Sequence, residues 1–144
     1  MSREIKFRGR HIESGEWIYG YLIGNDVIVG KIVDWDDEYF CTEYWYKVDP
    51  TTVGQYTGLK DRNGKEIYEG DIVQSETIRY SESGHFNGMI KVQGAVFYDN
   101  GKFQSQYTDH SIRDLLFGLN YHEVIGNVWE NGGLLNDREE STSD

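Results

Sequence analysis

The sequence is short of cysteine, proline, positive charge and long apolar runs. Cys41 is the only cysteine, so no disulfide forms within the chain and no cysteine-built zinc site can be assembled. No stretch approaches the ~20 apolar residues of a membrane helix, and Met1 to Arg10 lacks the apolar core of a secretion signal. A cytoplasmic protein is the expectation. Lys and Arg number 14 against 25 Asp and Glu, a net charge of -11 that repels nucleic-acid phosphates and disfavours non-specific nucleic-acid binding. A single proline beside 17 glycines suits a chain that turns back often through positive-φ corners.

What is present is aromatic and β-prone. Aromatics make up 15% of the 144 residues, with 11 Tyr and 4 Trp, too much large apolar surface for a disordered chain and enough for one core. Ile5 and Phe7 alternate with Glu4, Lys6 and Arg8 as a half-buried strand does. Glu13 to Glu16 reads as a hairpin corner, Trp17 to Ile23 as a central strand, and Val27 to Val33 as the next. Asp34 to Glu38 reads as a solvated acidic loop, and Tyr39 to Val48 as an aromatic strand ended by Asp49-Pro50. Val53 to Tyr56 is a short strand. Asn63-Gly64 and Asn100-Gly101 are hairpin signals, the first read as a type I′ turn.

Ile67 to Val73 carries a Glu69-Gly70-Asp71 corner. Gln74 to Gly88 reads as polar, carrying Thr77 to Tyr80 as an edge strand with a mobile tip near Gly84. Met89 to Tyr98 is strand material interrupted by a bulge at Gly94, and Phe103 to Tyr107 alternates. Ile112, Leu115, Leu116 and Leu119 fall at helical spacing, so a short helix over Ile112 to Phe117 is expected. Tyr121 to Ile125 closes the sheet, Gly126-Asn127 turns, and Val128 and Trp129 pack. The expectation is a mostly β fold: a small SH3-like β-barrel core with added hairpins and one short helix. It forms a single domain over 1–133, followed by an acidic, flexible tail over 134–144.

The run from Val48 to Val73, with Gly54-Gln55-Tyr56-Thr57-Gly58-Leu59 and Tyr68-Glu69-Gly70-Asp71 inside it, resembles the core signature of the YopX family. Arg3 to Gly9 is similar to that family's opening and Glu123 to Glu130 to its ending. The resemblance implies an SH3-like β core and a phage or prophage origin in a bacterial cytoplasm. It implies no function, no catalytic residue and no cofactor. Arg10 departs from the aromatic more usual there, and the Gln74 to Gly88 link is longer than the family's.

Candidate chemistry is thin. The histidines His11, His85, His110 and His122 have no metal-site spacing and read as surface or turn residues. Cys41 reads as a packed thiol, because nearby Glu43 would raise its pKa and blunt its reactivity. Thr57 to Asp61 lacks the spacing of a phosphate loop. No catalytic, cofactor or metal residue is assigned, and the chain is not expected to be an enzyme.

Two features are candidates for an interaction surface. Lys6, Arg8 and Arg10 form the one basic stripe, while Tyr44 and Tyr46 share a strand face opposite Trp45. Packing of both aromatic faces into a core is the preferred reading; exposed contact rings are the second. Three functions follow in order: a protein-binding or assembly module, including a homo-oligomer; an acidic mimic of nucleic acid that occupies a host protein; and nucleic-acid binding through the basic N-terminal strand.

Overall fold

Turn chemistry cuts this chain into short antiparallel strands. The computed structural model describes residues 4–99, 101–107, 113–115 and 122–135. They fall into two compact units that divide between Gly58 and Leu59.

The first unit holds β1 (Phe7–Arg10), β2 (Trp17–Ile23), β3 (Val27–Val29), β4 (Ile32–Trp35), β5 (Phe40–Thr42), β6 (Trp45–Lys47) and the start of β7 (Gly54–Lys60). Its main sheet runs β6-β3-β2-β1-β7, with β4 and β5 forming a separate two-stranded piece. Phe7 to Arg10 pair with Gly20 to Trp17, and Val27 to Val29 pair with Lys47 to Trp45.

The sheet curls on itself. His11 bridges to Val48, and the Asp49 amide donates to the Arg10 carbonyl at 2.8 Å. Inside the curl lie Ile28 and Val48, both fully buried. Gly9 and Gly20 permit this tightness: a Cβ on Gly9 would stand 2.7 Å from Val48 Cγ2, and one on Gly20 would strike the Val29 carbonyl. Asp49-Pro50 opens a single 3-10 turn, Pro50–Thr52, whose Asp49 cap accepts from the Thr51 amide at 3.0 Å.

The second unit continues from the end of β7 through β8 (Glu66–Tyr68), β9 (Asp71–Tyr80), β10 (Phe86–Asp99), β11 (Lys102–Tyr107), β12 (Arg113–Leu115) and β13 (Glu123–Asn127), then a 3-10 turn over Gly132–Leu135. Its five-stranded sheet runs β12-β11-β10-β9-β13. Ile67, Val73 and Val96 form the core, with Leu59 and Val124 packed against it.

Two acids fix its corners. Asp71 turns its carboxylate back to the Tyr68 amide at 2.8 Å across the Gly70 corner. Buried Asp61 accepts from the amides of Asn63, Lys65 and Val124 at 2.8–2.9 Å, tying the loop before β8 to β13. Burial pushes the Asp61 carboxyl up, but its three backbone donors and the nearby Lys65 charge outweigh that and hold it below the usual range.

Several expectations need correction. No α-helix forms among the described residues, and Arg113–Leu115 is strand β12 paired with Gln104 to Gln106. The open edge of β11 offers a ladder of hydrogen bonds, which outweighs a helical spacing of only one turn. Ile112, Leu116 and Phe117 lie outside the described residues, as do Asn100, His110, Tyr121 and 136–144. Within polar Gln74 to Gly88 the strand expected over Thr77 to Tyr80 and the tip near Gly84 are present, but strand pairing also takes in Gln74 to Glu76, so β9 and β10 form one long hairpin. Its bulge sits between Phe86 and Met89, where Gly88 takes φ +92, while Gly94 pairs in register with Val73.

The Asn63-Gly64 turn is not type I′. Gly64 donates to Asp61 at 3.0 Å and Asp61 to Lys65 at 2.7 Å, the three-residue loop with a left-handed glycine at its end. Gly126 and Asn127 belong to β13, and the turn follows them. Val27 to Val33 and Tyr39 to Val48 are each broken, at Gly30-Lys31 and Glu43-Tyr44.

Gly70 tests the second unit. It holds φ +89 beneath the Trp129 ring, so a methyl there is both strained and in collision. Gly70→Ala is expected to cost about 2–4 kcal/mol in urea unfolding. Gly101→Ala, at φ +79 with open space around it, is expected to cost about 1–2 kcal/mol.

Asp61 gives a pH signature. Its folded pKa lies below its unfolded one, so its contribution is full above about pH 4 and is lost as pH falls through the lowered folded value. Asp61→Asn should be less stable than the parent at neutral pH by about 1–3 kcal/mol. The gap should narrow in acid, as thermal melts across pH would record.

Candidate interaction surface

The curled sheet of the first unit has room for few side chains, so most of its aromatic residues are exposed, while Tyr56 is buried. On β2, Tyr19, Tyr21 and Ile23 point outward, and register places Tyr21 beside Val29 and Trp45, and Ile23 beside Val27 and Lys47. The preferred reading of Tyr44-Trp45-Tyr46 as core packing is overturned: all three are exposed, Trp45 at 64%. Cys41, expected to be packed, is exposed as well. Both corrections share a cause, since the interior formed by Ile28 and Val48 is already full at backbone distance.

Tyr44 and Tyr46 do share a face, their rings 5.9 Å apart. The Tyr44 hydroxyl donates to the Tyr19 carbonyl at 2.6 Å, and its ring lies on Gly30, where a Cβ would stand 2.7 Å away. His11 sits edge-on to Tyr46 at 5.1 Å. The basic stripe is distributed differently. Lys6 pairs with Glu4 at 3.4 Å and lies 5.8 Å from the Tyr56 ring centre. Arg8 is 5% exposed, its guanidinium 4.6 Å above Trp17, and half-buried Arg10 approaches the same ring at 6.0 Å. Lys6, Arg8 and Arg10 therefore lie against rings and a carboxylate of their own unit.

The surface that sequence reasoning missed is an arm. β3 and β6 pair within the sheet, and the same two chain segments continue as β4 and β5 beyond it, with every residue from Lys31 to Cys41 exposed. Two backbone bonds hold the junction, Gly30 donating to Tyr44 at 3.0 Å and Glu43 to Lys31 at 2.9 Å, and the Lys31 amide donates to the Glu43 carboxylate at 3.0 Å. At the tip, Asp36 Oδ1 accepts from the amides of Glu38 and Tyr39 at 2.8 and 3.0 Å, which lowers its pKa and builds the turn locally.

The register puts Trp35 beside Phe40 and Ile32 beside Thr42, with the irregularity at Val33 between them. Trp35 is 73% exposed, and Ile32, Val33, Tyr39 and Phe40 are all exposed. Where arm meets sheet, Ile23, Val27, Val29, Phe40, Cys41, Thr42 and Trp45 line an open groove of about 500 Å³. The one available signal was a tryptophan inside an acidic stretch, a poor fit to a merely solvated loop.

Among the described residues, no group of three or more His, Cys, Asp or Glu side chains is placed to hold a metal. His85 bonds Ser83 within the β9–β10 turn at 2.8 Å, and His122 is buried with its carbonyl receiving the Arg62 amide. No helix among the described residues is long and apolar enough to cross a membrane.

Arg8 is testable alone. Arg8→Ala removes the cation from the Trp17 face and the packing of its stem, and is expected to cost about 1–3 kcal/mol with a red shift in tryptophan emission.

Comparison with known proteins agrees with the β architecture. The family model described as YopX protein matches residues 6–136. The crystal structure of protein EF1440 from Enterococcus faecalis is similar with a TM-score of 0.58 and 24% identity, covering 93% of this chain and 99% of that one. No curated protein matches.

Proposed function

We propose that this chain, which belongs to the YopX protein family, is a protein-binding or assembly module that makes contact through the arm and groove of its first unit. The observation that carries this reading is the amount of apolar surface left outside. Trp35, Tyr39, Phe40 and Trp45 are each more than half exposed and lie on one continuous ribbon. Rings of this kind carry 150–250 Å² each, so these four alone expose on the order of 500 Å², at the upper end of the largest patch on a typical monomer. Tyr and Trp are favoured at contact surfaces because they bury much area with few torsions to freeze.

Acid–base chemistry has less support. The described carboxylates with lowered pKa values, Asp36, Asp49 and Asp61, take backbone amides at turns, caps and ties. Mimicry of nucleic acid would want acids uninterrupted by apolar rings, yet the acidic tip of the arm is flanked by Trp35 and Tyr39. The acids instead fit a rim around an apolar contact, where they keep the exposed ribbon in solution and limit wrong pairings. A phage or prophage setting, in which small proteins assemble on one another or on host proteins, suits such a module.

Amine-reactive cross-linking reads this out. Lys31 stands at the base of the arm, next to β4, so cross-links from it to another polypeptide are expected when the purified chain is added to bacterial extract. Trp35→Ser/Trp45→Ser, with both changes on the surface, should abolish them while leaving circular dichroism unchanged. Cross-links equal in parent and variant, or none leaving the arm, would sink this reading.

A further inference from the structure

We infer that the seam closing the first unit's sheet holds a site for a small zwitterion of the α-amino-acid class, with Arg10 taking its carboxylate and Asp49 its ammonium group. The site shares no residue with the arm or its groove, so it stands or falls apart from the reading of the arm as a contact surface.

Its basis is a pair of opposite charges on bonded backbones that do not meet. The Asp49 amide donates to the Arg10 carbonyl at 2.8 Å, and the Arg10 amide donates to Thr52 Oγ1 at 2.9 Å. This places the two side chains within reach of each other, yet among the described residues no ion pair joins them. Arg10 turns instead to the Gly15 carbonyl, to which its Nε donates at 3.4 Å, with the guanidinium 6.0 Å from the centre of the Trp17 ring. Asp49 is fixed by Thr51, whose amide and hydroxyl both donate to Oδ1, at 3.0 and 2.8 Å. The Nη atoms of Arg10 and Oδ2 of Asp49 take no hydrogen bond among the described residues. Both charges border a cavity of about 390 Å³ that His11, Ile12, Gly15 and Pro50 also line, a size that suits a small ligand.

The charge pattern selects what enters. A simple anion drawn to Arg10 would face the Asp49 carboxylate, and a simple cation drawn to Asp49 would face the guanidinium. A molecule carrying both charges satisfies both walls, its carboxylate accepting from the arginine fork and its ammonium donating to Oδ2. Exposed Ile12 and Pro50 offer apolar surface to its side chain.

The walls are set before a ligand arrives. Thr52 ties them together: its hydroxyl oxygen accepts from the Arg10 amide and its proton goes to the Asp49 carbonyl at 2.6 Å. The Gly15 amide donates to the His11 carbonyl at 2.9 Å and fixes the other loop. Little ordering is left for binding to impose.

The test is nitrogen–proton correlation NMR on the full chain, titrated with L-leucine. Saturable shifts in the millimolar range are expected at the amides of both Arg10 to Gly15 and Thr51 to Thr52. Isocaproate, which lacks the ammonium group, and isoamylamine, which lacks the carboxylate, should each bind about tenfold more weakly. Arg10→Gln and Asp49→Asn should weaken leucine binding by about the same factor. The asparagine still caps the 3-10 turn, so circular dichroism should not change. No saturable shift at these two loops, equal binding by either half-molecule, or folded variants that bind leucine like the parent would each overturn the inference. Should Arg10→Gln fail to fold, Asp49→Asn and the two half-molecules on the parent chain decide it.

Discussion

The first unit is governed by how little its sheet encloses. Gly9 lies against Val48, and Gly20 lies against the carbonyl of Val29, so the strands approach to distances at which no side chain fits between them. Ile28 and Val48 fill the interior that results. A sequence that places Trp17, Tyr19, Tyr21, Tyr44, Trp45 and Tyr46 on such a sheet has more ring than interior. The excess goes outward. Some of it is absorbed locally: Trp17 takes the guanidinia of Arg8 and Arg10, and Tyr44 covers Gly30 and anchors to Tyr19. The rest remains on the arm. The second unit shows the opposite balance, with Ile67, Tyr68, Ile72 and Val73 all buried and its buried acids committed to the backbone.

Much of the strand inventory was legible because it follows from local chemistry. Trp17 to Ile23 is bounded by Gly15 and Gly24, both at positive φ, and its limits come out as read. The Gly70-Asp71 corner behaves as its residues require, with glycine turning the chain and the acid holding the Tyr68 amide. Strand β10 pairs with β11 up to Asp99 and Lys102, as the hairpin expected there requires. What failed depended on distant partners. Arg113 to Leu115 is strand because β11 had an edge to offer, and nothing within three residues encodes that. The β9–β10 ribbon extends through polar sequence because each strand satisfies the other's backbone, whatever its side chains face.

The contact surface was half legible for the same reason. Tyr44 and Tyr46 were singled out, and alternation correctly placed them together. Their exposure was the second reading and not the first, because period-two patterning reports which residues share a face and not whether that face is covered. Trp35 escaped attention altogether, since the acids around it read as solvent-facing loop. In the structure those acids do two separate things. Asp36 spends its carboxylate on the turn, while Asp37 and Glu38 leave theirs at the surface.

This division of labour explains how so apolar a ribbon can stand outside a fold. The turn is specified by Asp36 within four residues and the junction by the Gly30 and Glu43 amides, so the arm's shape owes nothing to what covers it. Its solubility comes from charge: each chain carries -11 and repels its copies at long range, which suppresses indiscriminate association of the exposed rings. Against that background, apolar attraction over a few ångströms selects only approaches that also relieve the repulsion.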